Sequence, residues 1–245
     1  LVKKVKKQKK LSTEVPKREK ENQKYKYNIY NMILGNRIPY EYFATTGKGE
    51  SEAGSKGLKY ETGSYDAALT DAGIEDCNII EYTSVIPTHA KQISKEDGLK
   101  RINWGEAMEC IKAQANGDQG KFISTAILTT DVYDNNKKFL GGFALEYSGS
   151  GSKEQALKSL STSLKGLIER RGYGDIENSV EIFKDNITSK GYILYPGKIF
   201  VYDSFKVKKE HGTVFCALCW VSHRFPNSNS KKNKTKKIKK RAIGR

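Results

Sequence analysis

Apolar residues recur along this chain in two rhythms. In residues 152–172, SKEQALKSLSTSLKGLIERRG, the positions Leu157, Leu160, Leu164, Leu167 and Ile168 fall at three- and four-residue spacing and line one face of an α-helix. Ser152 and Gln155 stand three apart at its start as a capping box, and Gly172 ends it. Residues 64–73, SYDAALTDAG, predict a shorter helix with Ser64 as N-cap, Ala67, Ala68 and Leu69 as helix formers, and Gly73 just past its end. Elsewhere the rhythm is that of strands: residues 40–45, 77–82, 120–133, 137–149, 179–183, 192–205 and 213–223. Asp134-Asn135-Asn136 is a turn that makes an antiparallel hairpin of the third and fourth of these. The stretch after Pro87 is polar and mixed as far as residues 102–117. Two helices among strands, with one hairpin, predict an α+β fold rather than a regular βαβ repeat.

Parity in the hairpin isolates one acidic residue. In LGGFALEYS, Glu146 shares a strand face with Gly142 and Ala144, while Phe143, Leu145 and Tyr147 take the other face. A carboxylate among small residues leaves room for another group to approach. The plainer alternative is an exposed polar face.

Charge changes the picture less than its total suggests. The 245 residues carry a net +16, which resembles a nucleic-acid binder, but residues 1–26 hold +8 and residues 224–245 hold +10, leaving residues 27–223 at −2. The organisation is therefore a nearly neutral domain, 27–223, between two basic tails. Few apolar residues and dense like charge predict that both tails are disordered. Such arms can touch nucleic acid or anionic membrane through counterion release, without specific recognition. With 37% hydrophobic residues the body can bury a real core, and no window approaches the ~18 apolar residues of a spanning helix. These features predict a soluble, cytoplasmic protein.

Several familiar chemistries are excluded. Gly47-Lys48-Gly49, in a Gly/Ser-rich stretch read as a loop, lacks the hydroxyl residue after a Walker lysine and the upstream glycine. Cys216 and Cys219 form a CxxC, but in TVFCALCWV positions three apart point to opposite strand faces, so they are structural thiols rather than zinc ligands. Cys77 and Cys110 complete no disulfide framework, and His89, His211 and His223 stand apart. No metal site is expected.

Residues 75–90, EDCNIIEYTSVIPTHA, pose the remaining question: an apolar strand ends on Thr83-Ser84 and is closed by Pro87. Hydroxyl residues often end strands by bonding their own backbone. Here the surroundings add more. YETGSYDAALTDAGIEDCNIIEYTSVIP, with the upstream GKGES and the downstream GGFALEYSG and SKEQALKSL, resembles the pyruvoyl-dependent arginine decarboxylases. The resemblance runs from about residue 38 to about residue 183 and resumes at GTVFCALCWV; the basic tails and a Tyr-rich segment between residues 183 and 212 depart from the family.

The resemblance implies an αββα sandwich, a trimer or dimer of trimers, and self-cleavage between Thr83 and Ser84 that turns Ser84 into a covalent pyruvoyl cofactor. It implies decarboxylation of L-arginine to agmatine, a step of polyamine chemistry, with the pyruvoyl ketone as an electron sink analogous to pyridoxal phosphate. Glu146 matches the family's proton donor, Asp66 its guanidinium-binding carboxylate, Leu69 a substrate-pocket residue, and Asn78 an asparagine of self-processing. Read without the family, Asp66 is an exposed first-turn helix residue and Asn78 a strand-edge amide. Asn78 and Ser84 lie roughly 20 Å apart along a straight strand, so the resemblance also implies that Asn78 serves a neighbouring subunit or that the strand bends. The rivals are a sister pyruvoyl-dependent decarboxylase for another amino acid, and a non-processing homologue that binds nucleic acid or membrane through its tails.

Overall fold

Glycine placement decides how the first helix meets its sheet. The structure, a computed structural model, describes residues 37–52, 61–174 and 186–225. In chain order the elements are β1 (Ile38–Pro39), β2 (Glu41–Ser51), α1 (Glu61–Ala72), β3 (Asn78–Glu81), β4 (Val85–Ile86), β5 (Lys91–Gln92), α2 (Lys95–Leu99), β6 (Ala107–Asp118), β7 (Phe122–Asp134), β8 (Phe139–Gly149), α3 (Lys153–Arg170), β9 (Ile187–Ser189), β10 (Tyr192–Lys206), β11 (His211–Trp220) and β12 (His223–Arg224). The Gly47-Lys48-Gly49 stretch read as a loop is instead strand, because β2 runs on to Ser51. A Cβ on Gly47 would lie 2.1 Å from the Ala68 carbonyl oxygen, and one on Gly49 2.4 Å from that of Ser64. These glycines let α1 lie directly on β2. Gly47→Ala should therefore destabilise the fold by roughly 1–3 kcal/mol, because a helix backbone has to move; chemical denaturation measures the loss.

Two five-stranded sheets result, in the orders β3-β6-β11-β2-β5 and β4-β8-β7-β10-β9. Their facing sides share a core of Tyr42, Ile111, Cys216 and Leu218 from the first sheet with Ile86, Ile127, Ala144 and Ile199 from the second. The outer face of the first packs Phe43, Cys110, Phe215 and Cys219 against Ala68, Leu69 and Ala72 of α1. That of the second packs Leu128, Phe143 and Leu145 against Leu160, Leu164 and Ile168 of α3. The layers thus run helix, sheet, sheet, helix, in an α+β fold. Cys216 and Cys219 do face opposite sides of β11, both as buried free thiols.

The α3 signals match in detail: the Ser152–Gln155 capping box is formed, and Gly172 takes φ +75°. At α1 the start differs. The helix already includes Glu61, so Ser64 is no N-cap; it is buried against β11, its Oγ 2.8 Å from Thr213 Oγ1. Residues 102–117 supply most of β6, and α2 is a helix beyond the two expected. The strand expected at residues 179–183 lies outside the described residues, as do the basic tails apart from Arg224 and Phe225.

Candidate active site

The hydroxyl pair sits where the chain passes from one sheet to the other. β3 is an edge of the first sheet, paired in parallel with β6 from Asn78↔Ala107 to Glu81↔Cys110, and the Tyr82 N–H extends that ladder to the Cys110 carbonyl. β4 is an edge of the second, with Val85 opposite Phe143 and Ile86 opposite Gly142. Thr83 and Ser84 span the gap. Thr83 is exposed and Ser84 half-buried, so the crossing is accessible.

The register places chemistry at this crossing. Because β4 runs antiparallel to β8, Ser84 falls beside Ala144, whose N–H donates to the Ser84 carbonyl at 2.9 Å. The Ser84 hydroxyl donates to Glu146 Oε1 at 2.8 Å. Ala144 belongs to the core between the sheets, and Glu146 follows on the same strand face where that core opens to solvent. Partial burial pushes the Glu146 pKa up, the Ser84 hydroxyl bond opposes the rise, and the nearby Glu81 charge adds to it. A general acid has to be protonated, so a raised pKa extends its working range upward in pH.

Glu81 is tied to a lysine that sequence reasoning passed over. The Lys112 side chain is 7% exposed, and its Nζ lies 2.8 Å from Glu81 Oε1 and 3.1 Å from the Tyr65 hydroxyl. Burial alone would lower the Lys112 pKa, but the bonds to Glu81 and Tyr65 outweigh it. The available signal was a lysine between Ile111 and Ala113 in β6, at the parity of Cys110, which packs toward α1. Removing the Glu81 charge should weaken the rise at Glu146. In Glu81→Gln the alkaline limb of the kcat–pH profile should accordingly move to lower pH; an unmoved limb would separate Glu81 from the acid.

Asp66 and Asn78 lie elsewhere in the same chain. Together with Thr70, Glu75, Asp76, Cys77, Trp104 and Gly105 they line an open cavity of about 450 Å³. The Asn78 amide donates to the Gly105 carbonyl at 2.9 Å. Asp66 is exposed on α1, whereas Leu69, one turn on, is 8% exposed within the apolar layer beneath the helix. The structure thus brings Ser84 to Glu146 and puts Asp66 and Asn78 on one cavity, which neither Ser84 nor Glu146 lines. Among the described residues, no group of three or more His, Cys, Asp or Glu could hold a metal ion.

A carboxyl with a raised pKa, hydrogen-bonded to a serine at an exposed inter-sheet crossing, suits an enzyme whose reactive group is made from its own backbone. Comparison with known proteins agrees. The family model of pyruvoyl-dependent arginine decarboxylases matches residues 41–225. A pyruvoyl-dependent arginine decarboxylase of Thermoplasma volcanium is 28% identical over 176 residues, covering 69% of this chain and 91% of that protein. One of Chlamydia pneumoniae is 36% identical over 121 residues, 47% of this chain and 62% of its own length. One of Methanosarcina acetivorans is 29% identical over 155 residues, 55% and 89% respectively. The chain belongs to the pyruvoyl-dependent arginine decarboxylase family.

The residues present fit a pyruvoyl group at position 84. The Ala144 N–H holds a carbonyl that maturation would keep, Glu146 faces the side chain that would be converted, and Thr83 is exposed, leaving room for the new chain ends.

Proposed function

We propose that this protein cleaves itself between Thr83 and Ser84 and then decarboxylates L-arginine to agmatine and carbon dioxide. The observation that supports this most directly is the Ser84–Glu146 hydrogen bond at the crossing between the sheets. Ser84 Oγ attacks the Thr83 carbonyl carbon, and the peptide becomes an ester. Loss of the Ser84 α-proton expels the Thr83 carboxylate and leaves a dehydroalanine, after which water enters and ammonia departs. When formed, the pyruvoyl group supplies an electron sink for the carboxylate bond that breaks.

The chain's own residues do the rest. Ala144 N–H fixes the carbonyl beside the reactive centre. Glu146 delivers the proton to the α-carbon after carbon dioxide has left. Conversion of Ser84 removes the one bond that lowers the Glu146 pKa, so maturation itself favours the protonated acid. Asp66 pairs with the guanidinium, and Leu69 backs it from the next helical turn.

Because Asp66 and Asn78 share a cavity that Ser84 and Glu146 do not line, the complete site takes the partner subunit's Asp66 and the partner subunit's Asn78, in a homotrimer. Asp66→Asn should weaken arginine binding by roughly 1.5–3 kcal/mol, about 10- to 150-fold in KM. Co-expression with Ser84→Ala chains tests the arrangement, since one chain then offers an intact Asp66 and the other an intact Ser84. Arginine turnover at low KM in isolated mixed trimers supports a shared site; no recovery there places Asp66 and Ser84 in one chain's site. Release of agmatine and carbon dioxide in equal amounts from arginine, and not from ornithine or lysine, tests the activity.

A further inference from the structure

Trp104 is 85% exposed, the most exposed large apolar side chain among the described residues, and it belongs to none of the apolar cores. Fold stability does not account for this placement, since an indole left in water forgoes the gain that burial brings. The backbone nevertheless presents it firmly. The Glu106 N–H donates to the Asn103 carbonyl at 3.1 Å and closes a four-residue turn with Trp104 in second place and Gly105 in third. Gly105 takes φ +75° whereas Trp104 has no positive φ, the pattern of a type II turn. A Cβ on Gly105 would meet nothing within 4 Å, so the glycine serves the turn angle and not a close approach. Gly105 N–H on the Asp76 carbonyl at 2.7 Å and the Asn78 amide on the Gly105 carbonyl at 2.9 Å pin the turn from outside. Asn103 braces it from within, its N–H and its side-chain amide both donating to Glu106 Oε2.

The turn sets the indole on the cavity of about 450 Å³ that Asp66 and Asn78 share. Asp66, Glu75 and Asp76 give that cavity its charge, and none of the residues lining it is Lys, Arg or His. Carboxylates beside an exposed indole suit a cation with a polar edge and an apolar face. A guanidinium is such a cation: its N–H groups lie in its plane, and its weakly hydrated faces stack on aromatic rings. We infer that Trp104 determines specificity for the guanidinium end of the substrate, an inference that rests on the role proposed above for Asp66. Asp66 takes the N–H edge and the indole takes the face. A carboxylate alone pairs with any cation, the ammonium of lysine or ornithine included; the flat indole adds the preference for a flat cation. Because the turn is already fixed, little ordering entropy is lost when the substrate arrives.

Trp104→Leu tests this, since it keeps an apolar side chain and removes the ring. No hydrogen bond of the turn involves the indole, so the variant should fold and cleave as the parent does. Its KM for arginine should rise by about 3- to 30-fold with kcat little changed, and Trp104→Phe should recover part of the loss. A second measurement separates attraction to the ring from packing, including packing against a partner subunit, and does not depend on the leucine variant folding. Tryptophans with increasing numbers of ring fluorines, placed at position 104, keep the shape of the side chain and withdraw charge from the ring face. KM should climb step by step with fluorine count, at constant kcat and constant assembly size. A KM within twofold of the parent in folded Trp104→Leu, or one that ignores fluorine count, overturns the role of Trp104 and leaves arginine decarboxylation standing. Failure of the parent enzyme to decarboxylate arginine overturns both.

Discussion

Ser84→Ala should give a folded, uncleaved chain with no measurable decarboxylation, the largest effect expected of any single substitution. The change deletes one oxygen. The backbone contacts that position residue 84, Ala144 N–H to its carbonyl and the pairing of Val85 and Ile86 with β8, do not involve the side chain. Stability should therefore change little, while the nucleophile and the precursor of the electron sink are both lost. Gel mobility and agmatine assay read the two consequences together. Cleavage at the same bond in this variant would assign the attack to another group.

Glu146→Gln separates processing from turnover. The glutamine keeps a carbonyl oxygen that accepts the Ser84 hydroxyl, so the hydrogen bond at residue 84 is retained and cleavage should proceed. The amide cannot donate the proton the α-carbon needs, and kcat should fall by roughly 10²- to 10⁴-fold. In the parent enzyme, activity that depends on protonated Glu146 is lost as pH rises through its pKa, which burial holds above the ordinary carboxylate range. The variant should lose that alkaline limb as well as the rate. Normal turnover with an unaltered pH profile would remove Glu146 from the reaction.

The sequence disclosed some of this architecture and hid the rest for definable reasons. The α3 stripe and its capping box were legible because local spacing and local hydrogen bonds determine them. Parity put Glu146 on a face of small residues, since alternation in a strand needs no tertiary knowledge. Gly47 and Gly49 misled because a glycine that admits a neighbouring helix looks, along the chain, like a glycine that loosens a loop. Ser64 looked like a cap for a related reason: its hydroxyl serves a contact with Thr213, 149 residues away. Lys112 and Glu81 are brought together only by the parallel pairing of β3 with β6, a non-local register that no short window contains. The Ala144 amide is invisible to residue-type reasoning, because every residue except proline offers the same donor.

The placement of Thr83-Ser84 explains why a hydroxyl pair ends this strand. Tyr82 still belongs to the ladder of the first sheet, and Val85 already belongs to that of the second. Thr83 and Ser84 lie between the two strands, with the Ser84 carbonyl already held by Ala144 N–H, so the span is anchored at both ends. Near-attack geometry between a hydroxyl and its own preceding carbonyl can be maintained under such anchoring.

The central claim is self-cleavage at this bond, and intact mass spectrometry of the purified protein tests it most directly. The account predicts two chains, one ending at Thr83 and the other beginning at residue 84 with a pyruvoyl group in place of serine. A single uncleaved chain, or a second chain that begins with an unmodified serine, would contradict it.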